Sequence, residues 1–259
     1  MTQARQRWLS ILSVGVFFAA WEGICALGWV SPVLLSPPSR VACEALVLAG
    51  QATLWADLAH TLEAFVLALA IATTGGALLG GLVGYSRAAY AVFNPFVVAI
   101  NALPKVVLMP LIVLWVGIGT AASVLLGVVM ASFPIITATF AGIQALERDF
   151  VKLARSFGAR RAIVVRTIVL PGVMPYLLGG LRVGLNYAMV GVLIAEFFGA
   201  SQGIGYRMML LMANFEVAAF FVYLLVVATF TLGATAGLHA LERRLGRWRP
   251  DAFEPTRGM

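Results

Sequence analysis

Charge is scarce in this chain: of 259 residues only 11% are Asp, Glu, Lys or Arg, while 61% are hydrophobic and the mean hydropathy is +0.96. That excludes an ordinary soluble domain, whose charged share is about a quarter, and places the chain in a bilayer. Lysine occurs only at Lys105 and Lys152, neither of them behind a glycine-rich loop. With no G-x-x-x-x-G-K-[ST] motif, the chain does not bind ATP by that route. Histidine is confined to His60 and His239, at the edges of predicted spans and far apart in sequence. Neither H-E-x-x-H nor G-x-S-x-G occurs, so nothing supports an intramembrane enzyme, and no cofactor or metal is expected. The two cysteines, Cys25 and Cys43, are too few and too far from any histidine for a metal cluster and read as packing residues. A net charge of +7 would suit nucleic acid, but the basic residues punctuate apolar runs and form no stripe with interleaved aromatics.

What the chain does have is long apolar runs. Residues 8–30 exceed the h-region of a signal peptide and lack a clear A-x-A site, so they read as a retained first span. Glu22 inside that run should face another helix or lie near the interface. A proline-rich break at 31–40 leads into 38–60, which carries Arg40, Glu44 and Asp57 and reads as an amphipathic surface helix. The second span, 62–84, holds Gly76, Gly80 and Gly84 at four-residue spacing, a ladder for close helix approach.

The third span, 91–116, is interrupted by Pro104 and Pro110. Freed backbone carbonyls at membrane depth need protein or water, which makes this span a candidate pore liner. Lys105 beside the first proline either lines a path or snorkels to an interface or pairs with Glu196 or Glu63. The fourth span is 121–143, with Pro134 inside it. The fifth, 177–199, has small-residue faces at Gly180, Gly184 and Ala188 and at Gly191, Ala195 and Gly199. Its Asn186, Tyr187 and Glu196 either line a path or knit helices by hydrogen bonds. A short external segment, 201–216, precedes the sixth span at 217–239, and a basic tail follows. The expected organisation is therefore an N-terminal span (1–30), a periplasmic segment (31–61), a core (62–240) and a cytoplasmic tail (241–259).

Between the fourth and fifth spans lies the one long basic, partly polar stretch, QALERDFVKLARSFGARRAIVVRTIVLPGVMP, at 144–175. Phe150, Leu153, Ala154 and Phe157 share a helical face, with Lys152, Arg155 and Ser156 elsewhere on the circumference. Gly158 suits the C′ position of that helix. A second helix is expected over 160–170, with Pro171 and Pro175 discouraging its simple continuation. So short a helix is marginal alone and should dock on something.

Orientation follows from the basic residues. With the N-terminus inside, Arg5, Arg7, Arg87, Arg148, Lys152, Arg155, Arg160, Arg161, Arg166, Arg243, Arg244, Arg247, Arg249 and Arg257 are cytoplasmic. Only Arg40 and Arg207 lie outside, with Lys105 and Arg182 in spans. The positive-inside bias thus puts both termini and the 144–175 stretch in the cytoplasm.

The spacing of Ala154, Gly158, Ile168, Leu170 and Pro171 resembles the EAA loop of permease subunits of ATP-binding-cassette importers: Glu-Ala-Ala, three residues, Gly, nine residues, Ile, one residue, Leu-Pro. Lys152 and Leu153 replace the first two residues of that pattern. NALPKVVLMPLIVLWVGIG at 101–119 and AEFFGASQGIGY at 195–206 are similar to the branch importing nitrate, taurine, alkanesulfonates and thiamine precursors.

The resemblance implies an all-α, polytopic type I importer permease (MetI-like) with about six spans in a bacterial inner membrane. It also implies a second permease copy in a homodimer, two cytoplasmic ATPase subunits, a periplasmic or lipid-anchored solute-binding protein, and a small anion or vitamin precursor as solute. The coupling residues would be Phe150, Lys152, Leu153, Ala154, Arg155, Phe157, Gly158, Ile168, Leu170 and Pro171. Pro104, Lys105, Pro110, Asn186 and Glu196 would border the path. A stand-alone carrier or channel is the alternative, although no internal repeat and few midplane ionisable groups are present. A membrane scaffold is the third reading.

Overall fold

A computed structural model describes residues 3–31, 33–146 and 148–245 of the chain. The tail residues Arg247, Arg249 and Arg257 and the side chain of Phe150 lie outside the described residues. Helices α1 (Gln3–Ala26), α2 (Pro38–Ala49), α3 (Ala52–Tyr85), α4 (Arg87–Ala102), α5 (Met109–Val116) and α6 (Thr120–Gln144) come first. They are followed by α7 (Arg148–Ser156), α8 (Arg161–Val164), α9 (Leu170–Gly199), α10 (Ile204–Ala213) and α11 (Val217–Leu245). Among the described residues there is no strand. Four stretches are long and apolar enough to cross a membrane: Ala52–Gly84, Thr120–Gln144, Arg161–Gly199 and Val217–Arg244. A fifth is the pair Ala88–Ala102 and Lys105–Val116, bent by 87°. The apolar part of α1, Leu12–Ala26, is shorter than these.

Helix α6 is the centre of the bundle, and glycines let its neighbours reach it. A Cβ on Gly76, Gly80 or Gly84 of α3 would lie 2.9 Å from Ile135, 2.7 Å from Thr139 or 3.0 Å from Ile143 of α6. From the other side, Gly180 and Gly184 of α9 press on Ala138 and Ile135. A Cβ on Gly191 would stand 2.9 Å from the Gly127 Cα. The ladder of α3 and the Gly180–Gly184 face of α9 are thus used against one partner helix and bury Ala131 and Ile135 completely, while the second α9 face is shared, Gly191 meeting α6 and Gly199 meeting Met109 and Val113 of α5. In a bilayer no hydrophobic effect drives helices together, so this close packing carries much of the association. Thr139 spends its hydroxyl on its own helix, donating to the Ile135 carbonyl at 2.7 Å, and brings no unmet polar group into the contact.

Three boundaries depart from the sequence reading. The surface helix ends at Ala49, and α3 runs unbroken from Ala52, so 52–60 belong to the second span. Gly50 closes α2, whereas Asp57 and Thr61 find partners inside the bundle and interrupt nothing. The third span is two helices at a sharp elbow. Leu103 takes the extended backbone that a following proline favours, and Pro110 sits in the first turn of α5, where no N–H is needed. Finally, Pro171 and Pro175 do not stop the fifth span. A π-turn at Val165–Val169 precedes α9, and the widened turn absorbs the N–H that Pro171 lacks, so helix continues from Arg161 to Gly199.

Helix α1 is tied to α2 by Glu22, whose carboxylate accepts the Ser39 N–H at 3.0 Å and the Ser39 hydroxyl at 2.7 Å. Trp21 also meets Phe221 of α11 at 5.4 Å between ring centroids. Cys25 is half-buried and donates to the Leu35 carbonyl, while Cys43 is exposed, so only Cys25 fills the packing role expected of both.

Adjacent glycines of α3 separate packing from helix propensity, because a Cβ on Gly81 would meet nothing within 4 Å. Gly80→Ala is expected to destabilise the bundle by about 1–3 kcal/mol through overpacking. Gly81→Ala should be neutral or slightly stabilising. Thermal unfolding midpoints of the two variants in detergent check the difference.

Candidate functional site

The stretch between α6 and α9 is a hairpin whose stems are locked together. A Cβ on Gly142 would lie 2.9 Å from Tyr176, and Leu146 lies over Gly172 across the base of the hairpin. Beyond that base α7 makes its main contact with α8. Its end is closed as the sequence predicts. Gly158 has φ +74°, its N–H donates to the Arg155 carbonyl at 2.9 Å, and the Ala159 N–H donates to the Ala154 carbonyl at 3.0 Å. These two bonds define a Schellman cap with Gly158 at C′.

Past the cap the chain turns and buries Val164, while before it two large apolar side chains are left uncovered. Phe157 is 83% exposed and Leu153 56%, while Ala154 is half-buried and Lys152 and Arg155 are exposed. Ile168 lies in the π-turn and is half-buried. Leu170 and Pro171 open α9, with Leu170 exposed and Pro171 half-buried. The predicted coupling residues therefore divide into a projecting helix with its glycine turn and a base joined to the fifth span.

The candidate path residues part company. Pro104 and Pro110 are exposed and Lys105 is half-buried at the elbow. The Lys105 ammonium donates to the Asn101 carbonyl at 3.1 Å and to Asn101 Oδ1 at 3.0 Å, and lies 4.9 Å from the centre of the Phe133 ring. Asn186 and Tyr187 are exposed on α9. Glu196 is fully buried. Its Oε2 accepts the Thr61 hydroxyl at 2.9 Å and the Gly205 N–H at 2.9 Å, while Thr61 in turn accepts the Ile204 N–H at 2.8 Å. Glu196 therefore knits α3, α9 and the first turn of α10, where a carboxylate suits the positive end of the helix. The structure places it among helices, away from any open surface.

Beside it, Arg207 of α10 donates to Asp57 of α3 at 2.8 Å. This hydrogen bond to Asp57 raises the pKa of the Arg207 guanidinium above its already high ordinary value. The Tyr223 hydroxyl of α11 reaches the same carboxylate at 3.4 Å. At the other end of the bundle Glu242 of α11 is buried, paired with Arg182 of α9 and with His239 Nδ1 at 3.2 Å.

These two polar clusters escaped the sequence reading. Asp57 lies in a stretch that reads as a surface helix, and Arg182 and Glu242 stand 60 residues apart, although His239 is only one turn before Glu242. The available signal was charge inside apolar runs, which in a bilayer demands a partner on another helix.

Residues 72–247 match the family described as "Binding-protein-dependent transport system inner membrane component". The taurine transport system permease protein TauC of Escherichia coli is 31% identical over 253 residues, covering 96% of this chain and 92% of that protein. The formylaminopyrimidine transport permease protein ThiX of Halalkalibacterium halodurans is 27% identical over 229 residues, covering 88% and 91%. Among solved structures, an inward-facing conformation of the MetNI methionine ABC transporter matches 72% of this chain and 93% of that one, with a TM-score of 0.63 at 17% identity.

Thr61 is the joint of the outer cluster, so its hydroxyl can be tested against one that only bonds its own helix. Thr61→Val leaves the buried Ile204 N–H without its acceptor and should cost about 1–3 kcal/mol. Thr73→Val removes only a bond to the Leu69 carbonyl and should cost far less. Unfolding midpoints in detergent, compared with the unaltered chain, read the contrast.

Proposed function

The chain belongs to the binding-protein-dependent transport inner membrane components, and from that premise we propose that its 148–158 segment couples solute passage to a separate ATPase. As the permease component of an ABC importer, this chain would supply the path and leave ATP hydrolysis to another polypeptide. The observation that carries the coupling proposal is the uncovered apolar side of α7, with Phe157 83% exposed and Leu153 56% exposed beyond the locked stems of α6 and α9. A short amphipathic helix of this kind is suited to an apolar groove on a partner, with anchors at helical spacing. Closure of two ATPase subunits on ATP would carry α7 with it. The α6–α9 hairpin would transmit the movement because its stems pack through glycine without slack.

In this reading Leu153, Ala154 and Phe157 face the ATPase groove, and helical spacing in the sequence assigns Phe150 to the same contact. Gly158 sets the angle of the helix, and Ile168, Leu170 and Pro171 join it to the fifth span. Lys152, which stands where the family pattern has glutamate, calls for an acidic or neutral counterpart on the partner. Two copies of the chain would form the pore, with both termini and α7 on the cytoplasmic side, the orientation that the distribution of arginine favours. A solute-binding protein would deliver cargo from outside. The transport roles of the relatives favour a sulfonate such as taurine or a formylaminopyrimidine, and Lys105 favours the anion.

The test is to purify a tagged copy from its own membrane in mild detergent and assay the eluate for partner subunits and ATP hydrolysis. The wild-type chain is expected to bring down an ATPase. Gly158→Val places a β-branched residue at φ +74°, where left-handed backbone costs about 1–2 kcal/mol, enough to shift a loop population several-fold. The variant should retain a folded bundle but lose solute-stimulated hydrolysis. Normal stimulation in Gly158→Val would contradict the assigned role of the turn.

A further inference from the structure

The elbow at 102–105 combines three features that a purely structural bend does not require. First, it holds a cation deep in the membrane. Lys105 sits over Phe133, which lies near the middle of the 25-residue α6, a helix that crosses the bilayer. A lysine at that depth costs about 2.5–3.5 kcal/mol on insertion scales. Second, this charge has no counter-ion among the described residues. Among the described residues no carboxylate lies within ion-pair distance of Lys105, and Glu196, the partner first suggested by sequence, is engaged with Thr61 and Gly205. Lys105 rests instead on the Asn101 carbonyl and side-chain oxygen and on the Phe133 ring, neutral groups that hold a cation without discharging it. Third, the elbow cannot face lipid. Helix α4 ends there with carbonyls that lack intrahelical donors, of which Ile100 is met by the Leu103 N–H and Asn101 by Lys105. The others must meet water or protein.

From this arrangement we propose that Lys105 is a mid-membrane contact for the anionic group of the transported solute, a sulfonate or carboxylate, with Asn101 as the resting place of the ammonium when no anion is present. The C-terminal end of α4 stabilises the resting cation by its dipole. A passing anion exchanges these partial charges for a full one and takes over the ammonium. One N–H of Lys105 is not used by Asn101, so the anion can approach before the resting bonds break. Asn186 supplies a second exposed polar group at similar depth. Gly184, about half a turn away on the opposite face of α9, packs on Ile135 and the Ala131 carbonyl, next to Phe133 in α6. The anion can be released because the ammonium has its neutral seat on Asn101 to return to. This proposal rests on the reading of the chain as a solute path, and it adds the seat at which the solute's anionic group is met and the group that holds Lys105 between passages.

The test needs no identified solute. With Cys25 and Cys43 replaced by serine, Ala102→Cys places a thiol on the exposed last turn of α4. The full-length chain in nanodiscs is then treated with 2-sulfonatoethyl methanethiosulfonate, an anion, or 2-(trimethylammonium)ethyl methanethiosulfonate, a cation. Relative to the ratio for a free thiol, the anionic reagent should be favoured about ten-fold, as expected for a unit charge within several ångströms at intermediate dielectric. Any effect of Lys105 on thiol ionisation cancels in that ratio. Lys105→Gln should return it to the free-thiol value, and Lys105→Arg should preserve it. The proposal is overturned if Lys105→Gln leaves the ratio unchanged, or if Ala102→Cys reacts with neither reagent because the elbow is sealed. Both Lys105 variants should still bring down the ATPase. Loss of ATPase capture by the wild-type chain would instead count against the coupling reading and leave the charge preference standing.

Discussion

Everything in this bundle depends on how closely α3 and α9 approach α6. At Gly80 and Gly191 a single added carbon would stand within 3 Å of the opposing helix, so the contact is set by backbone and short side chains. Such contact has little freedom to slide. It fixes the relative height of α3 and α9, and with it the level at which Glu196 meets Thr61 at one end and Tyr176 meets Gly142 at the other. The loop beyond α6 inherits this rigidity, because its two ends are the helices whose spacing the glycines determine.

A second constraint is that polar groups inside the bilayer must find partners within the chain. The outer cluster obeys it with Asp57, Thr61, Glu196 and Arg207 drawn from three helices, and the inner one with Arg182, His239 and Glu242 drawn from two. Each ties the fifth span to its neighbours, one near its C-terminal end through Glu196 and the other near its middle through Arg182. The elbow between α4 and α5 is the exception. There the backbone is broken, the cation is seated on neutral oxygens, and among the described residues no carboxylate neutralises it. The proposed function makes use of that difference: clusters in which carboxylates meet donors from other helices hold the frame, and the elbow with its uncompensated cation faces what moves.

Much of this was legible in sequence where one signal had one meaning. Gly158 after an amphipathic run could be little other than a helix end, and its cap has the expected hydrogen bonds. The ladder Gly76, Gly80 and Gly84 implied a close neighbour, and α6 is that neighbour. Proline misled because its effect depends on the turn before it. Pro104 breaks a span at an extended Leu103, whereas Pro171 is carried through by a π-turn that local sequence does not announce. Asp57 misled for a different reason, since a carboxylate in an amphipathic stretch reads as surface until its partner, 150 residues away, is known. Glu196 was recognised as polar and consequential, but its neighbours come from two other helices, and only the packing of those helices decides whether it faces a path or a cap.

The most direct measurement is the accessibility of position 157. In a chain lacking Cys25 and Cys43, Phe157→Cys would be treated with a membrane-impermeant maleimide in inside-out vesicles, with and without its ATPase subunits. The account requires ready labelling of the chain alone and strong protection once the ATPase is assembled, because the exposed face of α7 is then covered. Equal labelling in both states, or labelling only in right-side-out vesicles, would contradict the proposed docking of that helix on a cytoplasmic motor.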